Sequence, residues 1–307
     1  MTLSGLANQI ALMFILMAVG FVINKLHLMH EQTSDDLTNI LLMIIGPCLI
    51  IKAFRQTFSA SRLHELLFLG LAVLMVYAVA AILAGLIFKR VKNKNLQRIA
   101  IYSSVYPNVG FLGIPLAGAL FGTQGVFYAV VSMAVFNIFN WSHGVSLFRT
   151  QQTKQTPWAM FKQIMLNPNI IAIIIGLIIF IGSIQLPSIL SQAINYISDA
   201  NTPLSMIIVG NSLAKLRFNR DALNLPILVG LSLRNLIFPI IAFYLMTALG
   251  VQGMGLSVSL LLAACPAASL GVLFTLQAHQ DASPAISLMS LSTLMSLITI
   301  PIVFAIT

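Results

Sequence analysis

Two proline-centred segments hold the residue types best suited to bind an anion without a lysine. The first is Tyr106-Pro107-Asn108-Val109-Gly110-Phe111-Leu112-Gly113-Ile114-Pro115-Leu116, with two prolines and two glycines inside an apolar run. Proline removes a backbone donor and clashes with the preceding turn, so this stretch predicts two half-helices around an extended crossover. The second is Cys265-Pro266-Ala267-Ala268-Ser269-Leu270-Gly271. If the crossovers meet, two half-helix N-termini face one site, each carrying about +0.5 elementary charge and several free N–H groups. Ser103, Ser104, Asn108 and Ser269 stand ready to add hydrogen bonds, and Gly110 lets the chain approach closely.

Three further groups carry chemistry. Arg234 sits half-way along an apolar run (LSLRNLIFP). A central membrane arginine costs about 2.5–3.5 kcal/mol on insertion scales, so it needs a partner or a task. The candidates are a substrate carboxylate, helix carbonyl ends, an acidic side chain, or escape of the side chain to the cytoplasmic face. Asp199, in Ile197-Ser198-Asp199-Ala200-Asn201-Thr202-Pro203, is the carboxylate expected at depth, either as a proton-coupling group or as a helix cap. Asn137, Asn140 and His143 recur at three-residue spacing and share a helix face, which either lines a polar interior or glues helices together.

Other chemistries find no support. Cys48 and Cys265 are too few for a disulfide framework and have no partners at metal-site spacing. No cofactor or metal is expected. There is no G-x-S-x-G, no H-E-x-x-H and no pair of membrane aspartates, so an enzyme is not expected. An anion channel stays as an alternative to a carrier, although the sequence shows neither a carbonyl filter nor charge rings.

The elements that position these residues follow from composition. The chain has 307 residues, 59% hydrophobic and 7% charged, against roughly 25% charged in soluble domains. Lipid must be its main solvent, which predicts an all-α polytopic membrane protein. Ten apolar segments lie near 6–26, 37–54, 66–88, 97–121, 125–148, 168–185, 189–214, 223–248, 254–277 and 283–306. Met1-Thr2-Leu3-Ser4 has no positive region, so the first run reads as a retained span.

The net charge of +9 lies in loops, without the basic–aromatic interleaving of a nucleic-acid surface. Lys25, Lys89, Arg90, Lys92, Lys94, Arg98, Arg149, Lys154, Lys162, Lys215, Arg217 and Arg220 fall on one side of a ten-span topology, and Lys52, Arg55 and Arg62 on the other. The positive-inside rule puts the first group in the cytoplasm and both termini outside. The polar linker 149–167 divides the chain into five spans (1–148) and five more (168–307). An odd number per half inverts the second relative to the first. Pro47 and Pro203 are offset by 156 residues, and Pro107 and Pro266 by 159, so corresponding spans are interrupted at corresponding places. Paired interruptions of this kind point to a transporter's binding site.

Pro107-Asn108 with Gly113-Ile114-Pro115-Leu116, and Ala264-Cys265-Pro266 with Phe274 and a last span containing Ile300-Pro301, resemble the auxin efflux carrier family. Gly20-Phe21-Val22-Ile23-Asn24-Lys25 and Asn167-Pro168-Asn169-Ile170-Ile171-Ala172 extend the resemblance over nearly the whole length. That family includes plant auxin carriers and bacterial malate and malonate permeases. The resemblance implies ten helices in two inverted five-helix repeats, with broken helices four and nine crossing as in sodium/proton antiporters. It implies a scaffold of helices one, two, six and seven, a transport domain of the other six, an elevator-like motion, and a homodimer through the scaffold. Asn108, Pro107, Pro115 and Pro266 map onto the family's substrate region. Plant members often have glutamine after the helix-nine proline; here Ala267 stands there, which argues against auxin.

The expectation is a carrier of a small organic anion, a carboxylate such as malate, in the cell membrane. Asn108, Ser104, Ser269 and Asn137 would contact it, Pro107, Gly110, Pro115 and Pro266 would shape the crossover, Arg234 would balance charge, and Asp199 would couple protons or serve the structure. The competing carrier is a sodium symporter of the bile-acid type, for which Ala267 and Ala268 supply no side-chain oxygens.

Overall fold

The structure, a computed structural model, describes residues 3–148, 157–214 and 224–307. Arg149, Lys154, Lys215, Arg217, Arg220 and much of the mid-chain linker lie outside the described residues. The described chain is nearly all helix, as lipid demands of a backbone that must satisfy its own hydrogen bonds. Among the described residues, five helical stretches are long and apolar enough to cross a membrane: Gln32–Phe54, Ala60–Phe88, Val109–Phe148, Leu225–Ala248 and Ser283–Ile306. Ala11–Lys25, Pro168–Ile181 and Gly253–Ala264 are shorter apolar helices. The protein is a multi-pass membrane protein. The Val109–Phe148 stretch holds two segments, parted at Gly122, whose φ of 64° and ψ of −156° belong to glycine alone.

The chain divides into two compact units. The first comprises Met1–Phe68, Gly110–Ala134 and Ile164–Lys215. In it α1 (Leu3–Lys25) packs along α11 (Asn201–Ala214), and α3 (Gly46–Phe54) packs along α9 (Pro168–Ile181) and α10 (Ser188–Asp199). Without a hydrophobic drive between helices in lipid, close packing depends on small residues. Gly20 meets the Ile207 backbone and Gly210 the Met17 backbone so closely that a Cβ at either would overlap main-chain atoms. Gly176 likewise lies under the Phe54 ring, which packs edge-on against Phe127. Asn24 Nδ2 donates to Asn211 Oδ1 at 2.8 Å, and Asn211 Nδ2 donates to Ser34 Oγ at 3.0 Å. This chain links α1 and α11 to α2 (Glu31–Ile40).

The second unit comprises Leu69–Val109, Val135–Gln163 and Leu216–Thr307. It contains most of α4 (Ala60–Phe88), α5 (Lys94–Val105), the end of α6 (Ile114–Phe139), α7 (Val145–Phe148), most of α8 (Pro157–Met165), α12 (Leu225–Ser232), α13 (Phe238–Ala248), α14 (Gly253–Ala264), α15 (Leu270–Gln277) and α16 (Ser283–Ile306). Asn93 and Asn224 start α5 and α12, their side chains accepting from the amides of Leu96 and Ile227.

Several prolines bend the helices differently from the sequence expectation. Pro47 does not open its span: Leu41–Ile45 forms a π-turn and Pro47 follows as the second residue of α3. Pro115 and Pro239 stand in the same place after the π-turns Val109–Gly113 and Leu233–Ile237. The wider π-turn relieves the clash of the ring with the carbonyl four residues back, so the helix bulges instead of breaking. Pro203 sits in the first turn of α11, where an amide has no intrahelical partner, and the discontinuity falls before it at Ala200.

Candidate functional site

A crossover of two extended segments forms the centre of the second unit. Helix α5 ends at Val105 and α14 at Ala264. The next residues, Tyr106 (ψ 107°) and Cys265 (ψ 149°), are extended because each precedes a proline, whose Cδ excludes the helical region for its neighbour. Pro107 and Ala267 then face each other as an isolated antiparallel pair. The Asn108 amide donates to the Pro266 carbonyl at 2.7 Å, and the Ala268 amide donates to the Tyr106 carbonyl at 2.9 Å. Freed backbone groups inside a membrane protein must find partners within it, and here the two broken helices supply them to each other.

Arg234 closes one side of this arrangement. It lies in the π-turn Leu233–Ile237 and is 3% exposed. Its Nη1 donates to the carbonyls of Ser104 (3.0 Å) and Val105 (2.9 Å), and its Nη2 donates to the carbonyl of Ala263. These are last-turn carbonyls of α5 and α14, acceptors that a helix leaves unused. The guanidinium therefore meets the negative ends of two half-helices at once. Of the partners considered from the sequence, the helix carbonyl ends are the ones it takes.

Asn235 and Ser292, which the sequence reading passed over, support the pairing. The Ala267 amide donates to Ser292 Oγ at 2.9 Å, and Ser292 Oγ donates to Asn235 Oδ1 at 2.7 Å. Asn235 Nδ2 returns to the Ser292 carbonyl at 2.8 Å. The available signal was an asparagine next to a membrane arginine, facing a last span rich in serine.

The remaining candidates fall into place unequally. Pro107, Pro266, Ser103 and Ser104 are buried; Asn108 and Ser269 are half-buried. The Ser104 hydroxyl turns back to donate to Ala100 O at 2.6 Å, so its direct role is within its own helix. Ser269 precedes α15 without a side-chain capping bond. Asn137 and Asn140 are buried. Asn140 and His143 lie in the π-turn Asn140–Gly144 and meet tyrosines of the α5 end: Tyr102 Oη donates to Asn140 Oδ1 at 2.6 Å, and Tyr106 Oη lies 2.9 Å from His143 Nδ1.

Gly110, Pro115 and Asp199 belong to the first unit. Asp199 pairs with a lysine. It is the last residue of α10, its side chain is 66% exposed, and Lys52 Nζ lies 2.6 Å from its Oδ1. A cation from α3 is its partner.

Several apolar spans, two interrupted helices with paired backbones and a buried arginine at their ends mark a multi-pass helical membrane protein. The chain belongs to the family of membrane transport proteins, the auxin efflux carrier family, which it matches over residues 6–304. It is similar to an uncharacterized transporter of Methanothermobacter thermautotrophicus, 23% identical over 304 residues that cover 98% of each chain. It is also similar to an uncharacterized transporter of Methanocaldococcus jannaschii, 26% identical over 292 residues, 90% of this chain and 92% of that one.

Proposed function

We propose that this transporter carries a small organic anion, a mono- or dicarboxylate such as malate, across the cytoplasmic membrane. The observation that carries the reading is the asymmetry Arg234 creates at the crossover. It occupies the carbonyl ends of α5 and α14. The half-helices that resume after Asn108 and Ser269 keep their positive N-terminal ends, which favour a carboxylate. Asn108 and Ser269, both half-buried, are the side chains proposed to bond it.

An elevator motion is the proposed cycle, with helices one, two, six and seven as scaffold and the other six as the moving part. The grouping of α1, α2, α3, α9, α10 and α11 in one compact unit supports this division, although Gly110–Ala134 groups with them. The ten-span inverted repeat, with both termini outside, draws support from the 156- and 159-residue proline offsets. It also draws support from two helix pairs, α1 with α11 and α3 with α9, that an inverted repeat would exchange. A homodimer through the scaffold and proton coupling complete the proposal.

Uptake of radiolabelled L-malate into proteoliposomes, with and without an imposed proton gradient, tests it. Saturable uptake, abolished by Asn108→Ala in protein that still elutes as a folded species, is the expected result. Full activity of Asn108→Ala would remove the site. Stimulation by sodium in place of protons would favour the bile-acid type of symport.

A further inference from the structure

We infer that His143 is the proton-binding residue of the transport cycle, hydrogen-bonded through the Tyr106 phenol to the crossover itself. The inference rests on the carrier reading for its cargo, and on the second unit alone for its geometry. Asp199 stands exposed in an ion pair of the first unit. The second unit has two carboxylates, Asp221, which lies outside the described residues, and Asp281. Asp281 is in the loop before α16, where the Ser283 hydroxyl and amide hold its carboxyl below the usual carboxylate range. Imidazole is the side chain that ordinarily changes charge near neutral pH, and His143 is half-buried inside a span.

Its surroundings fit proton exchange. Tyr106 Oη lies 3.0 Å from the Phe139 carbonyl and 2.9 Å from His143 Nδ1. One hydroxyl hydrogen cannot serve both. When it goes to Phe139, Nδ1 must carry a proton and donate to the phenol oxygen, which the imidazolium always does. In the neutral tautomer whose Nδ1 accepts from Tyr106, the proton is taken at Nδ1, and the Tyr106 hydroxyl is then left with the Phe139 carbonyl as its acceptor. The Tyr106 carbonyl receives the Ala268 amide, and Pro107 and Asn108 follow Tyr106 in the chain. Protonation and crossover geometry meet in one residue.

The elements around this turn offer no competing acid among the described residues. Helix α5 and its end present Tyr102 and Tyr106, α4 presents Tyr77 against Phe139 and Tyr106, and α15 (LGVLFTLQ) has no titratable side chain. Arg234, on the π-turn Leu233–Ile237, is a cation held at the Ser104 and Val105 carbonyls at the end of α5. Asn140 Nδ2 and Trp141 Nε1, in the same π-turn, are buried donors without a protein acceptor, which marks the turn as a polar site in an apolar span. Insertions of this kind occur often at functional positions.

Two measurements test the inference. In proteoliposomes, the ratio of gradient-driven uptake to equal-pH exchange of labelled malate is compared in wild type and His143→Gln. The gradient stimulation is expected to disappear in the variant; a wild-type ratio would overturn the assignment. Loss of exchange and stimulation together in folded protein would overturn it too, since a purely structural role does that. The second measurement needs no cargo. In full-length protein with ¹⁵N-labelled histidine, the signal missing from His143→Gln should titrate between about pH 5 and 8, as a switching imidazole does, and shift in Tyr106→Phe. A His143 signal that stays neutral over that range would sink the proton site even if malate is carried. Titration without malate transport would keep the proton site and discard malate.

Discussion

The Asn108 amide and the Pro266 carbonyl, 158 positions apart, are joined by a 2.7 Å hydrogen bond. That bond and its reciprocal partner from Ala268 to Tyr106 make two interrupted helices into one element. Neither half-break is stable alone in lipid, because each exposes backbone groups that only the other satisfies.

Arg234→Met would leave the Ser104, Val105 and Ala263 carbonyls without their buried donor. A buried polar group left unpaired costs about 1–3 kcal/mol. A marked fall in melting temperature in detergent, with loss of uptake, is expected. Arg234→Lys should fall between, since an ammonium cannot span two helices as the planar guanidinium does. An unchanged melting curve for Arg234→Met would show that the capping is dispensable.

Ser292→Ala would orphan the Ala267 amide inside the protein and free Asn235 Oδ1. A buried donor left unpaired costs about 1–3 kcal/mol. Lower thermal stability and weaker malate uptake are expected together, because the same bond holds the crossover. Ser292→Thr, which keeps the hydroxyl, is the control and should recover part of both.

Gly20→Ala would drive a methyl group into the Ile207 backbone, and Gly210→Ala into that of Met17. Helices α1 and α11 must separate to admit either. Overpacking of this sort costs about 1–3 kcal/mol. Reduced melting temperature is the readout, and the double variant should cost less than the sum, because one separation relieves both overlaps.

Asp199→Asn breaks an exposed ion pair with Lys52. Such pairs contribute about 0–1 kcal/mol, so little change in stability is expected. Gradient stimulation of uptake should also survive. Its loss would return the coupling role to Asp199 and take it from His143.

Much of this molecule was legible without coordinates. Few charges and long apolar runs require lipid as solvent, and the multi-pass helical class follows from that alone. Proline positions marked where helices yield, because the missing donor is a property of the residue itself. They did not reveal how each yields: Pro107 and Pro266 open extended segments, whereas Pro47, Pro115 and Pro239 follow π-turns. Family motifs around Pro107-Asn108 were readable because they are contiguous.

Tertiary structure alone decided the partnerships. Arg234 is 130 positions from Ser104, and no local periodicity chooses between a substrate, an acid and a carbonyl end for a buried guanidinium. Ser292 and Asn235 looked like ordinary small polar residues of membrane helices until the Ala267 amide was seen to need one of them. Asp199 looked buried from its neighbours in sequence, and the fold placed Lys52 beside it, 147 positions away. Composition and spacing fix what a residue needs; only the packing of distant segments decides which residue supplies it.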